Sequence, residues 1–247
     1  MIYIKSDYDI KMIKQAALIW KQVKAMLIET AQSGVSLITL DQKACDLIEQ
    51  KNATCSFYQY DGFPKHICIS VNEELIHGVP NNYKLKDGDL VSFDVGVTYE
   101  NHICDAAFSL VIGENKMATH ILKASEEALA KAIDVIKPGN YLGDISVAIE
   151  QTAKAHGYTV IKDFGGHGCG NKLHEDPIIL NYGEPHTGMQ LVKNMTLCIE
   201  PMLMTGSDQY KIDHKNKWTV SSQNKKLTCH VEHMVLINEK GCEILTK

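Results

Sequence analysis

The amino-acid sequence predicts an α+β fold, with two pseudo-symmetric αα-β halves forming a central curved antiparallel sheet and helices on the outside. Two observations point there. Two helices and then several short β-like runs occur in that order twice along the 247 residues. Local matches also recur in the same order in both halves. Gly34-x-x-Leu37-x-x-Leu40 is matched by Gly139-x-x-Leu142-x-x-Ile145, and Ile76-His77-x-x-Pro80 by Leu173-His174-x-x-Pro177. LKDGDLVSFD, ending at Asp94, is matched by LVKNMTLCIE, ending at Glu200. Related halves pack about an approximate two-fold axis, each closing the other's open face.

The first helix is expected over residues 6–34. Ser6 and Asp9 form a capping-box pattern, Ile10, Ile13, Ala17 and Trp20 share a face, and Gly34 supplies the stop. The second is expected to start at Thr39, with Gln42 completing its cap and Leu40, Ala44 and Leu47 as its apolar stripe. β-like runs rich in Val, Ile and Phe follow at 67–71, 90–98 and 102–112. The order then restarts with a helix over 117–136, ended by Pro138-Gly139, and a stripe at Leu142, Ile145, Ile149 and Ala153. Further β-like runs fall at 158–161, 195–201 and 227–237. No Gly/Ser- or Pro-rich linker separates the halves. Residues 1–247 therefore read as one domain with an internal repeat of about 1–113 and 114–247.

Composition narrows the function. A 45% hydrophobic content suffices for a packed core, and 22% charged residues is ordinary for a globular chain. A net charge of -5 gives no electrostatic reason to expect nucleic acid as a substrate. No window approaches the ~18–20 apolar residues of a membrane span, and the opening residues are too polar and acidic for a signal peptide. The eight Cys include no C-x-x-C pair, which reads as reduced, mostly buried thiols in a cytoplasmic protein. All 25 basic residues are Lys, so the bidentate fork of Arg is missing from the chain's means of holding a carboxylate.

The repeat equates Asp94 in SFDVG with Glu200 in CIEPM, each a carboxylate within an apolar β run. Each is followed by a second run bearing an acid, Asp105 in HICDAAF and Glu232 in CHVEHMV. A two-fold axis would gather all four at the centre. Buried together they repel and lose hydration, so positive charge must sit among them. With no Lys inside these runs, divalent metal is the economical source. His167 in FGGHGCG adds a nitrogen donor, and its flanking glycines allow close backbone approach. One His with four carboxylates exceeds a single structural zinc and suits a pair of ions ~3.5–4 Å apart. The oxygen-rich set favours Mn, Fe, Co or Zn in a catalytic role. His167 has no counterpart in the first half, so two inequivalent metal sites are expected.

These residues resemble the five-ligand signature of the methionine aminopeptidases, metallopeptidases of the pita-bread fold. The likeness runs over nearly all of the chain. It includes NEELIHGVP around His77, GGHGCGNKLHEDP around His167 and His174, IEPM around Glu200 and VEH around Glu232. The shorter type I form is the one resembled, without an N-terminal zinc-binding extension or a large insertion after Glu200. The resemblance implies that Asp94 chelates one ion, Asp105 and Glu232 bridge both, and His167 and Glu200 complete the other site. It also implies that Glu200 carries the proton from the attacking water to the leaving amine. His174 would hydrogen-bond the scissile carbonyl as charge develops, and His77 would position the substrate. Tyr60, Phe63, Cys68 and Trp218 match the lining of a methionine pocket, where aromatic and sulfur surfaces suit a flexible thioether. The implied substrate is the N-terminus of a nascent polypeptide, which loses its initiator Met when the second residue is small. A monomer with no membrane partner is expected.

Some positions depart from that pattern. Leu173 stands where an aromatic is common, and His230 where an amide is common. Strand alternation places His230 with Glu232 on one side and Cys229 with His233 on the other, arguing against a separate metal site there. Cys104, Cys169 and Cys198, close to ligands in sequence, are expected to pack away from the metals. Lysines over 211–217 and at Lys225-Lys226 read as a solvated loop, with ribosome contact as the alternative. The rival enzyme reading is an X-Pro aminopeptidase or dipeptidase of the same fold, which usually has a large extra N-terminal domain and uses basic residues, often Arg. A non-catalytic peptide binder is the third reading, and such a relative would be expected to lose ligands.

Overall fold

Ser6 opens the first helix as its sequence predicts: its hydroxyl accepts from the Asp9 N–H, and the Asp9 carboxylate accepts from the Ser6 N–H. The computed structural model describes residues 2–247. In the first half, α1 (Asp7–Thr30) and α2 (Leu37–Gln50) precede β1 (Thr54–Cys55), β2 (Cys68–Val71), β3 (Glu74–Ile76), β4 (Leu90–Tyr99) and β5 (His102–Val111). The second half opens with α3 (Lys116–Asp134) and α4 (Leu142–Ala155), then β6 (Thr159–Val160), β7 (Gly165–Gly168), β8 (Glu175–Leu180) and β9 (Thr196–Ile199). It closes with β10 (Met202–Met204), β11 (Tyr210–Ile212), β12 (Val220–Ser222), β13 (Thr228–His230), β14 (His233–Ile237) and β15 (Cys242–Ile244).

Two larger antiparallel sheets form the centre. In one, β4 pairs with β5 along one edge and with β1 and β2 along the other. The second runs β15-β14-β9-β7-β8. The trio β2, β4, β5 is thus echoed by β7, β9, β14, each behind its own helix pair. The echo extends to individual backbone bonds. Gly34 N–H donates to Leu85 O as Gly139 N–H does to Leu191 O, and Leu37 N–H to Tyr83 O as Leu142 N–H does to Met189 O. The halves meet where the Glu232 N–H donates to Ala107 O at 2.9 Å and the Ser109 hydroxyl donates to His230 O at 2.7 Å.

Each helix pair covers its own apolar core. Ile13, Trp20 and Leu40 pack on Phe93 and Ala106 in the first half, and Ile121, Leu129 and Ile149 on Leu197 and Val235 in the second. The helix α2 begins two residues before the expected Thr39, because Ser36 is the actual cap, accepting from the Thr39 N–H. Gln42 instead donates to Asp46 one turn on. Two expected β runs are each interrupted. Residues 195–201 end as strand β9 at Ile199 before Pro201, which has no N–H to give a ladder, and 227–237 divides around Val231-Glu232. β10 and β13 pair with each other, outside the larger sheet that holds β9 and β14. Glu200 and Glu232 therefore stand where the chain passes from one sheet to another. Strands β7 and β8 lay outside the expected runs: GGHG offers no β-branched residue, and β8 carries Pro177.

Candidate dinuclear metal centre

Asp94 projects from β4 and Asp105 from β5, whose register pairs Gly96 with Asp105 and Asp94 with Ala107. His167 comes from β7, paired with Cys198 of β9, and Glu200 follows β9 directly. Gly166 makes this approach feasible, since a side chain there would collide with the Cys198 carbonyl. All five residues line one cavity of about 650 Å³, together with Tyr60, Phe63, Cys68, His77, His174 and Trp218.

The carboxylates are close and dry. His167 Nε2 lies 3.5 Å from Glu200 Oε1 and 3.9 Å from Asp105 Oδ2. The His167 Nδ1–H donates to Gly168 O at 2.9 Å, because a carbonyl can only accept, so Nε2 keeps its lone pair toward the acids. Burial holds the His167 imidazole neutral, with its pKa pushed down to about 3. Burial raises Asp94 to about 6, and burial with repulsion from neighbouring carboxylates lifts Asp105, Glu200 and Glu232 well above the usual range. Asp94 Oδ1, Asp105 Oδ1 and Glu232 Oε1 are buried with no hydrogen-bond partner among the described residues. Three orphaned carboxylate oxygens in a cavity that also holds an imidazole lone pair fit divalent cations, whose charge would satisfy the oxygens and offset the repulsion.

Around this cluster the cavity is aromatic. Phe63 and Trp218 meet edge to face at 5.3 Å, and Tyr60 meets His174 in the same way at 5.3 Å. The Tyr60 hydroxyl lies 3.0 Å from His174 Nδ1, and the His174 ring stands 4.5 Å from that of His167. His77 takes a left-handed backbone conformation (φ 56°) that sets its ring against Trp218 and Phe164. Its pKa falls to about 4, chiefly through burial. Glu175, next to His174, is buried and ion-paired to Lys5 at 2.5 Å, while its other oxygen accepts from the Asn171 and Lys172 N–H groups.

Some residues escaped the sequence reading. Phe57 packs with Phe63, Cys68 and Leu173 in the pocket wall, and Tyr3, Phe164 and Met202 also line the cavity. Phe57, Tyr60 and Phe63, spaced by three, were a usable signal; Tyr3 lies too far away in sequence to offer one. Cys198 corrects an expectation. Its Sγ does not pack clear of the centre but lies within 4.8 Å of ligand atoms of Asp105, His167 and Glu232. The reason is the register, since Cys198 is the cross-strand partner of His167 and directly opposed residues point to the same face of a sheet. Cys104, adjacent to Asp105 on β5, faces the opposite way into the first core.

With that geometry established, comparison with known proteins is direct. The profile of metallopeptidase family M24 matches residues 11–239. A methionine aminopeptidase of Mycoplasma genitalium is 42% identical over 248 residues, covering 100% of both chains. The crystal structure of methionine aminopeptidase from Rickettsia prowazekii superimposes with a TM-score of 0.98 at 32% identity, again covering 100% of both. Prolidase from Pyrococcus furiosus gives 0.79 at 25% identity and is matched over only 65% of its length. This chain is a metal-dependent hydrolase and belongs to metallopeptidase family M24.

Proposed function

We propose that this chain removes the N-terminal methionine from nascent proteins and peptides whose second residue is small, working as a single catalytic domain and a monomer. The observation that carries the reading is a buried His–carboxylate cluster lining the same cavity as the aromatic residues Tyr60, Phe63 and Trp218. Full-length similarity to methionine aminopeptidases favours it over the X-Pro reading.

In this proposal Asp94 would hold one of two divalent ions (Co, Mn, Fe or Zn), Asp105 and Glu232 would be shared between them, and His167 and Glu200 would hold the other. The chemistry such ions would supply there is a lowered water pKa and a polarised scissile carbonyl. Glu200 accepts the proton of the attacking water and delivers it to the departing amine. His174, oriented through Nδ1 by Tyr60, presents Nε2 to the carbonyl oxygen as charge develops. His77 borders the substrate's first residue. Tyr60, Phe63, Cys68 and Trp218 enclose the methionine side chain, and the Cys68 thiol, held protonated by burial, offers it a neutral sulfur surface. The exposed lysines 211, 215, 217, 225 and 226 are available for transient contact with the ribosome, where the substrate emerges. A cytoplasmic location accords with that substrate; among the described residues no helix is long and apolar enough to cross a membrane.

The test is peptide hydrolysis with Mn or Co added. Met-Ala-Ser is expected to release free methionine and a Met-Lys peptide to resist. Equal cleavage of X-Pro peptides would overturn the assignment.

A further inference from the structure

One buried group beside the centre has no role in the five-ligand scheme. His230, at the end of β13, is 2% exposed, and its Nε2 has no hydrogen-bond partner among the described residues. That atom lies 3.3 Å from Glu200 Oε2 and 4.0 Å from Glu232 Oε2. Glu200 is therefore flanked by two imidazoles, with Oε1 facing His167 at 3.5 Å and Oε2 facing His230. Ligand atoms of Glu200, His230 and Glu232 fall within 4.8 Å of one another, a span that one cation can bridge.

The placement of His230 is built in. Its carbonyl accepts from the Ser109 hydroxyl at 2.7 Å and its N–H donates to Ser92 Oγ at 3.4 Å, so β5 and β4 fix the backbone on both sides. Strand β13 ends at this residue, and the ring lies between Glu200 and Glu232. Leaving an imidazole nitrogen buried and unpaired is costly, and a bound cation removes that cost. Cys198 is the other unassigned donor nearby, but its thiol already donates to Asp105 O at 3.6 Å.

We infer that His230 is a sixth protein ligand, joining Glu200 Oε2 and Glu232 around one cation while Glu200 Oε1 stays with His167 on the other, so that both metal positions carry a nitrogen donor. The inference rests on the metallopeptidase reading and deepens it. The two positions become more alike than a single histidine would make them. Their preference moves toward nitrogen-favouring divalent ions such as Co, Ni and Zn, relative to Mn.

The experiment loads metal-free protein with Co(II) and counts hyperfine-shifted, exchangeable imidazole N–H resonances by proton NMR, with isothermal titration for stoichiometry and affinity. Wild type is expected to show two such resonances and two bound ions. His230→Gln is expected to lose one resonance and to weaken one binding step about 10-fold or more, with the Co-over-Mn preference narrowing in parallel. A single resonance in wild type overturns the inference without any variant. So does an affinity for His230→Gln within twofold of wild type, which would make His230 a hydrogen-bond donor to Glu200. If wild type binds no Co(II) at all, the metallopeptidase reading itself fails, a result distinct from both.

Discussion

Asp105 and Glu232 show most clearly how single residues carry the chemistry. Each is buried, each keeps an oxygen without a hydrogen-bond partner, and each has its pKa raised by burial and by the other acids. Removing a partner from outside the ligand set of a metal site typically costs about 10–100-fold, so losing a carboxylate proposed to serve both ions should cost at least about 100-fold. Asp105→Ala and Glu232→Ala are therefore expected to abolish turnover of Met-Ala-Ser while leaving the folded circular dichroism spectrum in place. Wild-type turnover in either would remove the bridging role. The ligand candidates were legible in sequence because the repeat equates Asp94 with Glu200 and Asp105 with Glu232, and shared position made four separate acids into one cluster. His230 was harder to read. Alternation put it on the same side as Glu232, but only the break between β13 and β14 turns it onto Glu200. Phe57 and Tyr3 reach the cavity through chain geometry that local pattern does not encode.

At the scale of elements, the helices were the most readable because caps and apolar stripes act within a few residues. The α1 capping box has a measurable consequence. Asp9 accepts from the Ser6 backbone and hydroxyl and lies 2.9 Å from His102 Nε2. The His102 hydrogen bond, then that of Ser6, lowers its pKa from 3.8 to about 2. A depressed carboxylate pKa contributes stability that is present above pH 3.8 and is lost as pH falls toward 2. After allowance for solvent screening, that is on the order of 1 kcal/mol. Asp9→Asn should be less stable than wild type by that amount in urea at pH 6, and the gap should close as pH falls below the ordinary Asp value. A gap independent of pH would place the effect elsewhere. The short strands were less readable. β7 is GGHG, chosen for close approach to β9 rather than for propensity, and β9 and β13 stop where the chain changes sheets. That switch depends on which strands lie alongside, a non-local fact.

Across the whole molecule, the candidate centre joins the two halves, because Asp94 and Asp105 come from the first while His167, Glu200 and Glu232 come from the second. Metal should therefore stabilise the molecule as a unit. At a hundredfold excess over Kd the gain is about 2.7 kcal/mol, and chelation should lower Tm in one cooperative step rather than melt one half alone. Two separated transitions after chelation would show that the halves are held together independently of the centre. The αα-β repeat made this two-sided layout readable from sequence, and the paired backbone bonds at Gly34 and Gly139 give it physical form. The clamp between Lys5 and Glu175, across most of the chain's length, left no such local trace. The central claim is metal-dependent release of an N-terminal methionine, and the most direct measurement is free methionine released from Met-Ala-Ser by chelator-stripped protein before and after Mn or Co is restored. The stripped protein should release none, and adding either ion should restore release. Undiminished release in excess chelator, or none with any divalent ion, would contradict that claim.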